Sequence, residues 1–179
     1  KQTRPADARN LRFVFDTFDL LTELDRRLTA QPADLVVIDA FGDLYTGDQN
    51  KSNQIRTYLN EYGQLALKHQ CLVLFLHHTG KRTEDEPPSK HHLNGGQGFE
   101  AKMRLVIELR LDHHDPERRH LCIVKGNYLP VQEKQESHVL RMQDFIFYPT
   151  GERVPFEALA KPKTDDEARA KYEQAKELQ

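Results

Sequence analysis

The sequence predicts an α/β fold: a mixed, mostly parallel sheet with flanking helices that ends in antiparallel strands. Two apolar runs, at residues 35–38 and 71–76, are separated by a helical pattern. Strands that alternate with helices form right-handed crossovers and a parallel sheet. The apolar runs after residue 103 are instead joined by short polar links, which are typical of antiparallel neighbours.

The first part of the chain predicts a strand, a helix and a second strand. Residues 11–15 alternate enough for a short strand. A helix is indicated next by four apolar residues at helical spacing, Phe18, Leu21, Leu24 and Leu28. The run at 35–38 fits a strand buried on both faces of a parallel sheet, and it ends in the lone carboxylate of Asp39. An acid at the carboxyl end of such a strand lies where these sheets bind ligands.

A second helix and strand follow a loop at residues 41–50. The helix runs from about 51 to 69, with one face marked by Ile55, Leu59, Tyr62 and Ala66. It leads into the strand at 71–76. Residues 79–99 then form a long loop with a Pro87-Pro88 pair and a glycine cluster, and loops of this length are often functional. A disordered surface excursion is the alternative for its proline-rich middle.

The last part of the chain predicts strands and a polar tail. Residues 103–111, 121–125 and 139–147 read as strands, with a polar turn at about 132–137. The stretch 164–179 is helix-prone but has little to bury, which favours a solvated terminal helix. We therefore expect one domain over residues 1–160 and a polar tail over 161–179.

Composition limits the classes of function. The 179 residues carry a formal net charge of -2, so a nucleic-acid contact requires a local basic patch or loop. No apolar run approaches the ~20 residues that span a bilayer, and no apolar signal segment opens the chain, so we expect a cytoplasmic protein without a membrane partner. Cys71 and Cys122 lie in apolar runs, as reduced buried thiols do. Six of the nine histidines occur as adjacent pairs, and no C-x-x-C or H-x-x-x-H spacing is present, so no structural metal is expected.

Polar residues follow several of the predicted strands. Asp39 ends one strand, His78 lies just after another, and Lys125 ends a third. A glycine-rich stretch at 93–98 precedes the strand at 103–111. Because parallel strand ends lie along one edge of a sheet, these groups are expected to converge on one crevice that suits a phosphate-bearing ligand.

This series resembles the RecA-like ATPases, in particular the hexameric helicases and plasmid-replication ATPases of the RepA and DnaB kind. The resemblance lies in four runs, DLVVIDAF at 34–41, LVLFLHHTGK at 72–81, GGQGF at 95–99 and VKGNY at 124–128, and covers about residues 11–130. It implies a RecA-like fold, ATP and Mg²⁺ as cofactors, single-stranded DNA as a partner and a homo-oligomeric, hexameric ring.

The resemblance also implies roles for individual residues. Asp39 corresponds to the Walker B acid that holds Mg²⁺. His78 matches the sensor of the γ-phosphate. Lys125 matches a basic residue that reaches a neighbouring subunit's phosphates, and Asn127 stands where the family has a second basic residue. The loop at 80–98 matches a segment that grips DNA, and the residues implied there are Lys81, Arg82, Lys90 and Gln97. The acids at 84–86 oppose these cations.

One expected element does not occur in this chain. The phosphate-binding loop G-x-x-x-x-G-K-[ST] is absent from the sequence. We therefore expect the chain to be the carboxyl-terminal part of a RecA-like ATPase, inactive alone, whose parent polypeptide supplies that loop. Two alternatives remain open: a non-catalytic RecA-like interaction or regulatory module, and a phosphohydrolase or nuclease that uses Asp39, Asp43 and Asp48.

Overall fold

The computed structural model of the protein describes residues 10–15, 17–48, 51–80, 83–93 and 96–161. Its helices are α1 (Leu20–Ala30), α2 (Phe41–Leu44), α3 (Ser52–His69) and α4 (Gly96–Lys102), and its strands are β1 (Leu35–Ile38), β2 (Leu72–Phe75), β3 (Leu105–Leu111), β4 (Arg118–Gly126), β5 (Glu136–Gln143) and β6 (Ile146–Pro155). Short 3-10 turns cover Thr83–Asp85, Lys90–His92, Gln132–Lys134 and Phe156–Leu159. The predicted tail at 164–179 lies outside the described residues.

The secondary structure confirms the α/β class, but the strands form two sheets rather than one. β1 and β2 pair in parallel, and β3, β4, β5 and β6 form an antiparallel sheet in that order. Within the described residues the chain divides into two compact units. Unit 1 contains residues up to Thr46 and Thr57–Leu76, and unit 2 contains Gly47–Arg56 and the residues from His77 onward. The single, mostly parallel sheet of the prediction is therefore not seen in this part of the chain.

Unit 1 is built from the two parallel strands and the helices on one side of them. Leu24 and Leu28 of α1 pack with Ile38 of β1 and with Tyr62 and Leu65 of α3. Leu24, Leu28 and Tyr62 confirm the helical faces predicted from the sequence, since apolar side chains three or four residues apart lie on one side of a helix. Phe18, which was predicted on the face of the first helix, precedes α1 and is 90% exposed.

Only one face of the β1–β2 sheet is buried, which corrects the prediction that the strand at 35–38 is buried on both faces. Leu35, Val37, Leu72 and Leu74 point to the opposite face and are between 42% and 63% exposed. Their continuous apolar runs are the pattern of strands covered on both sides. In unit 1 the helices provide one such cover, and the other face is open.

Unit 2 is an antiparallel sheet closed on one face by the turn Phe156–Leu159. Cys122, Phe156 and Leu159 form its core, with Val124 and Val154 packed against them. Cys122 is fully buried and unpaired. Burial raises the pKa of its thiol to about 12, so it behaves as a small apolar side chain, as expected.

Two strand predictions are wrong. Residues 11–15 form no strand, and Phe13 and Phe15 are 66% and 88% exposed. The run at 139–147 is not one strand but the end of β5, a turn and the start of β6. Asp144 and Phe145 both have positive φ, which lets the chain reverse within an apolar run that carries no glycine there.

The edge strand β3 has an inverted pattern of burial. Leu105, Ile107, Leu109 and Leu111 are about half exposed, whereas Glu108 and Arg110 are 8% and 6% exposed. The buried pair is well satisfied: Arg110 donates to Glu108 and to the carbonyls of Thr83, Glu86 and Leu159. Glu108 also accepts from the Ser89 backbone N–H. These bonds hold the 83–93 segment against β3.

Unit 2 also contains a series of hydrogen bonds that links Ser137, His120 and Asp112. His120 Nε2 lies 2.8 Å from Asp112 Oδ2, and His120 Nδ1 lies 3.0 Å from Ser137 Oγ. Ser137 is fully buried, and its hydroxyl also lies 3.2 Å from the Val154 carbonyl oxygen. The Ser137 hydroxyl is inaccessible to a substrate carbonyl, so it does not act as a nucleophile. The hydrogen bonds instead connect β5, β4 and the turn after β3.

This network predicts a loss of stability in acid. Burial raises the pKa of Asp112, but hydrogen bonds from His120 and from the backbone N–H groups of His114 and Asp115 outweigh it and hold the pKa at about 2. The resulting stabilisation is present above the unfolded-state value of 3.8 and is lost as pH falls through about 2. Asp112→Asn should therefore lower the free energy of unfolding by about 1–2 kcal/mol near neutral pH and by much less near pH 2. Urea unfolding of both proteins across this range measures it, and an equal difference at every pH would contradict it.

Candidate functional site

Asp39 lies where the sequence predicts it, directly after β1 at the carboxyl end of the parallel sheet. Its side chain is exposed. The Leu76 N–H donates to the Ile38 carbonyl at 2.8 Å, and the Phe41 N–H donates to the Leu76 carbonyl at 3.0 Å. The backbone is thus fixed on both sides of Asp39 by the chain that leaves β2.

Buried aromatic rings hold the segment that follows Asp39. Phe41 is fully buried and stacks on Tyr45 with ring centroids 5.5 Å apart. It also meets Tyr58 of α3 and Phe75 of β2 edge-on, at 6.0 and 5.9 Å. Aromatic contacts of this kind contribute beyond simple burial. They anchor α2, which begins two residues after Asp39.

His78 lies three residues after the end of β2 and is exposed. Its backbone N–H donates to Nδ1 of His77 at 3.0 Å, and the His77 ring packs on Phe99 with centroids 4.7 Å apart. The two imidazoles therefore have different surroundings, since His77 is packed and His78 faces solvent. An exposed imidazole at a strand end is available to hydrogen-bond a ligand.

Lys125 and Lys90, predicted for different roles, contact the same carboxylate in unit 2. Lys125 Nζ lies 3.5 Å from Oε1 of Glu100 and also donates to the Glu100 carbonyl at 2.7 Å. Lys90 Nζ lies 3.2 Å from the same Oε1. The structure brings together two cations that lie 35 residues apart in the sequence.

Glu100 was not among the site residues predicted from the sequence. Its side chain is 13% exposed. Burial raises its pKa, but the hydrogen bond and charge of Lys90 and those of Lys125 outweigh it, so the pKa lies below its usual value. The signal available in the sequence was an acid placed just after the glycine cluster, but only the packing of α4 beside β4 shows its partners.

The other predicted residues are placed as follows. Asn127 is exposed in the turn after β4, and its backbone N–H donates to the Arg104 carbonyl at 3.2 Å. Gln97 lies in α4, but its side chain is outside what the structure describes, as are Lys81 and Arg82. Asp43 lies in α2, two residues after the buried Phe41. Asp39 belongs to unit 1, whereas His78, Lys90 and Lys125 belong to unit 2.

Neither a metal cluster nor a membrane helix is found in the described residues. No three His, Cys, Asp or Glu side chains come together there in a way that could hold a metal ion. No helix in this part of the chain has both the length and the apolar character needed to cross a bilayer.

Comparison with known protein families gives a match to the first half of the chain. The model of a family described as an AAA domain matches residues 4–84. No curated protein matches the chain. The matched segment contains β1, Asp39, β2 and His78, and it ends before α4 and the antiparallel sheet. Residues 4–84 are thus similar to an AAA-type ATPase domain, which supports a place in the P-loop NTPase-like superfamily.

Proposed function

We propose that this chain is part of an ATP-hydrolysing, RecA-like DNA helicase or replication ATPase of the RepA and DnaB kind, which acts on single-stranded DNA as a ring. The observation that carries the proposal is the exposed carboxylate of Asp39 at the carboxyl end of a parallel sheet, inside the segment that matches an AAA domain. Ligands of open α/β sheets bind at this edge.

Asp39 suits Mg²⁺ as one ligand among several. Mg²⁺ is held by one or two carboxylates together with substrate phosphates and water, so a single exposed acid fits its chemistry. When bound, Mg²⁺ neutralises charge on the ATP phosphates. In this proposal Asp39 would hold the metal. The family resemblance gives His78 the role of hydrogen-bonding a γ-phosphate, and Lys125 the role of contributing positive charge to a neighbouring subunit's nucleotide.

The exposed apolar face of the β1–β2 sheet supports the proposal that a further segment packs against it. Large apolar side chains are exposed on this face, at Leu35, Val37, Leu72 and Leu74. Their strands have the composition typical of a sheet that is buried on both faces. We assign this face to the helix of a segment that also carries the phosphate-binding loop. Such a segment would add the backbone N–H groups and the lysine that hold phosphates, which Asp39 cannot replace.

A second candidate is a non-catalytic interaction or regulatory module. It is favoured by the absence of G-x-x-x-x-G-K-[ST] from the sequence and by the same open apolar face, which could join a partner that is itself active. Asp39 has no necessary role in such a module.

Nucleotide binding separates the two candidates. Reading the coding frame upstream of Lys1 should show a glycine-rich loop ending in Lys and Ser or Thr. The protein encoded by that frame should bind ATP in the presence of Mg²⁺ and lose most of this affinity in EDTA, as measured by calorimetry. Absence of both the loop and Mg²⁺-dependent binding would favour the interaction module.

A further inference from the structure

The Lys90–Glu100–Lys125 cluster has more positive than negative charge around one oxygen atom. Two ammonium groups lie 3.2 and 3.5 Å from Oε1 of Glu100, so the cluster has a formal charge of +1. Lys125 and Glu100 are mostly buried, with side chains 17% and 13% exposed, whereas Lys90 is 42% exposed. The cluster is therefore held by the fold but is open to solvent on the Lys90 side.

Each member is fixed by a different element. Lys125 lies near the end of β4, where its bond to the Glu100 carbonyl ties the strand to α4. Lys90 begins the turn Lys90–His92, whose N-cap Ser89 accepts from the His91 N–H. The Ser89 N–H in turn donates to the buried Glu108. Two lysines that are positioned before any ligand arrives lose little conformational freedom on binding one.

We propose that Lys90 and Lys125 together bind a phosphate group. In the absence of that ligand the Glu100 carboxylate occupies its position between the two lysines, and the phosphate displaces it. Lys90 and Lys125 both contact the same oxygen of Glu100, Oε1. A terminal phosphate offers three non-bridging oxygens and a larger charge, so it satisfies both cations better than a shared carboxylate oxygen does. The group can belong to a nucleotide or to a nucleic-acid backbone, since both present non-bridging phosphate oxygens. A backbone phosphodiester has two of these oxygens and a single charge, so it competes with Glu100 less strongly than a terminal phosphate does.

This inference deepens the proposed function for Lys90 and Lys125, and it rests on that function only for the source of the phosphate. It changes the assignment in one respect. The two lysines form one site, and Glu100 opposes binding until a phosphate competes with it.

The test uses the chain as it is, in EDTA and at constant ionic strength, so that no magnesium-dependent site contributes. Tripolyphosphate and a fluorescent oligothymidylate serve as separate probes. Glu100→Gln should raise the affinity for the bound probe about tenfold, because it removes the competing charge and leaves two cations. Lys90→Gln should lower it about tenfold, and this exposed position should not affect folding.

Glu61→Gln is the matched control, since Glu61 is an exposed helical acid and its loss changes the net charge equally. Binding of tripolyphosphate alone would assign the site to nucleotide phosphates, binding of oligothymidylate alone to phosphodiesters, and binding of both to phosphate in general. The inference is overturned if neither probe binds, if Glu100→Gln has no larger effect than Glu61→Gln, or if Lys90→Gln leaves affinity unchanged. Loss of Mg²⁺-dependent ATP binding in the complete protein, with probe binding in EDTA intact, would count against the proposed function alone.

Discussion

Asp39→Asn is expected, under the proposed function, to reduce ATP turnover at least about a hundredfold in a protein that joins this chain to a phosphate-binding loop. Asparagine keeps the shape of the side chain and removes its charge, so the anchored segment from Ile38 to Phe41 should be unchanged. The metal would lose its ionised protein ligand, and an amide oxygen binds Mg²⁺ more weakly than a carboxylate. Steady-state phosphate release at saturating Mg²⁺ measures the effect.

Asp43→Asn is the control for this experiment. Asp43 is also exposed and lies four residues further along, in α2, so its substitution makes the same change of charge at a neighbouring position in the sequence. It should alter turnover less than about threefold if Asp39 alone holds the metal. Normal turnover in Asp39→Asn would remove Asp39 from the mechanism. Equal losses in both variants would instead point to a shared acidic site, as the nuclease alternative requires.

Arg110→Ala should lower the free energy of unfolding by about 3–5 kcal/mol. The substitution takes the guanidinium away from Glu108, which is 8% exposed and keeps the Ser89 N–H and His92 Nδ1 as neighbours. It also removes the donor for the carbonyls of Thr83, Glu86 and Leu159. A buried carboxylate that loses its cation is far more costly than a broken surface pair. Urea unfolding followed by circular dichroism gives the loss. Trypsin cleavage after Lys90 should also become faster, because Arg110 holds the 83–93 segment on β3.

Arg141→Ala provides the comparison. Arg141 lies on β5 of the same sheet, but its side chain is 51% exposed and its partners Asp115 and Glu117 are at the surface. Its loss should be below about 1 kcal/mol because solvent screens such pairs. If Arg110→Ala and Arg141→Ala destabilise the protein equally, the buried network does not stabilise unit 2 as inferred.

Local patterns in the sequence located most elements of the first unit. The helix at Ser52–His69 and the strands at Leu35–Ile38 and Leu72–Phe75 follow from the spacing of apolar residues, which is a property of short segments. Asp39 was found in the same way, as an acid that ends an apolar run. The residues at 11–15 alternate similarly but form no strand, because a strand also needs a partner and they have none among the described residues.

Pairings between distant segments were harder to predict. The strand at 103–111 was predicted, but the burial of Glu108 and Arg110 on it was not. Arg110 can be buried because carbonyl groups 24 to 49 residues away accept its hydrogen bonds. Glu100 was missed for the same reason, since its partners come from a turn before it and a strand after it.

The sequence by itself determined the α/β class, the parallel strand pair and the placement of a carboxylate at the end of β1, because each follows from the apolar spacing within single strands and helices and from their order along the chain. Only the tertiary structure decided that the remaining strands form a separate antiparallel sheet, that a charged pair is buried beneath β3, and that Lys90 and Lys125 meet at Glu100. These features depend on which segments pack together in space, and the free energy of burying or pairing a charge is set by those neighbours rather than by the adjacent residues.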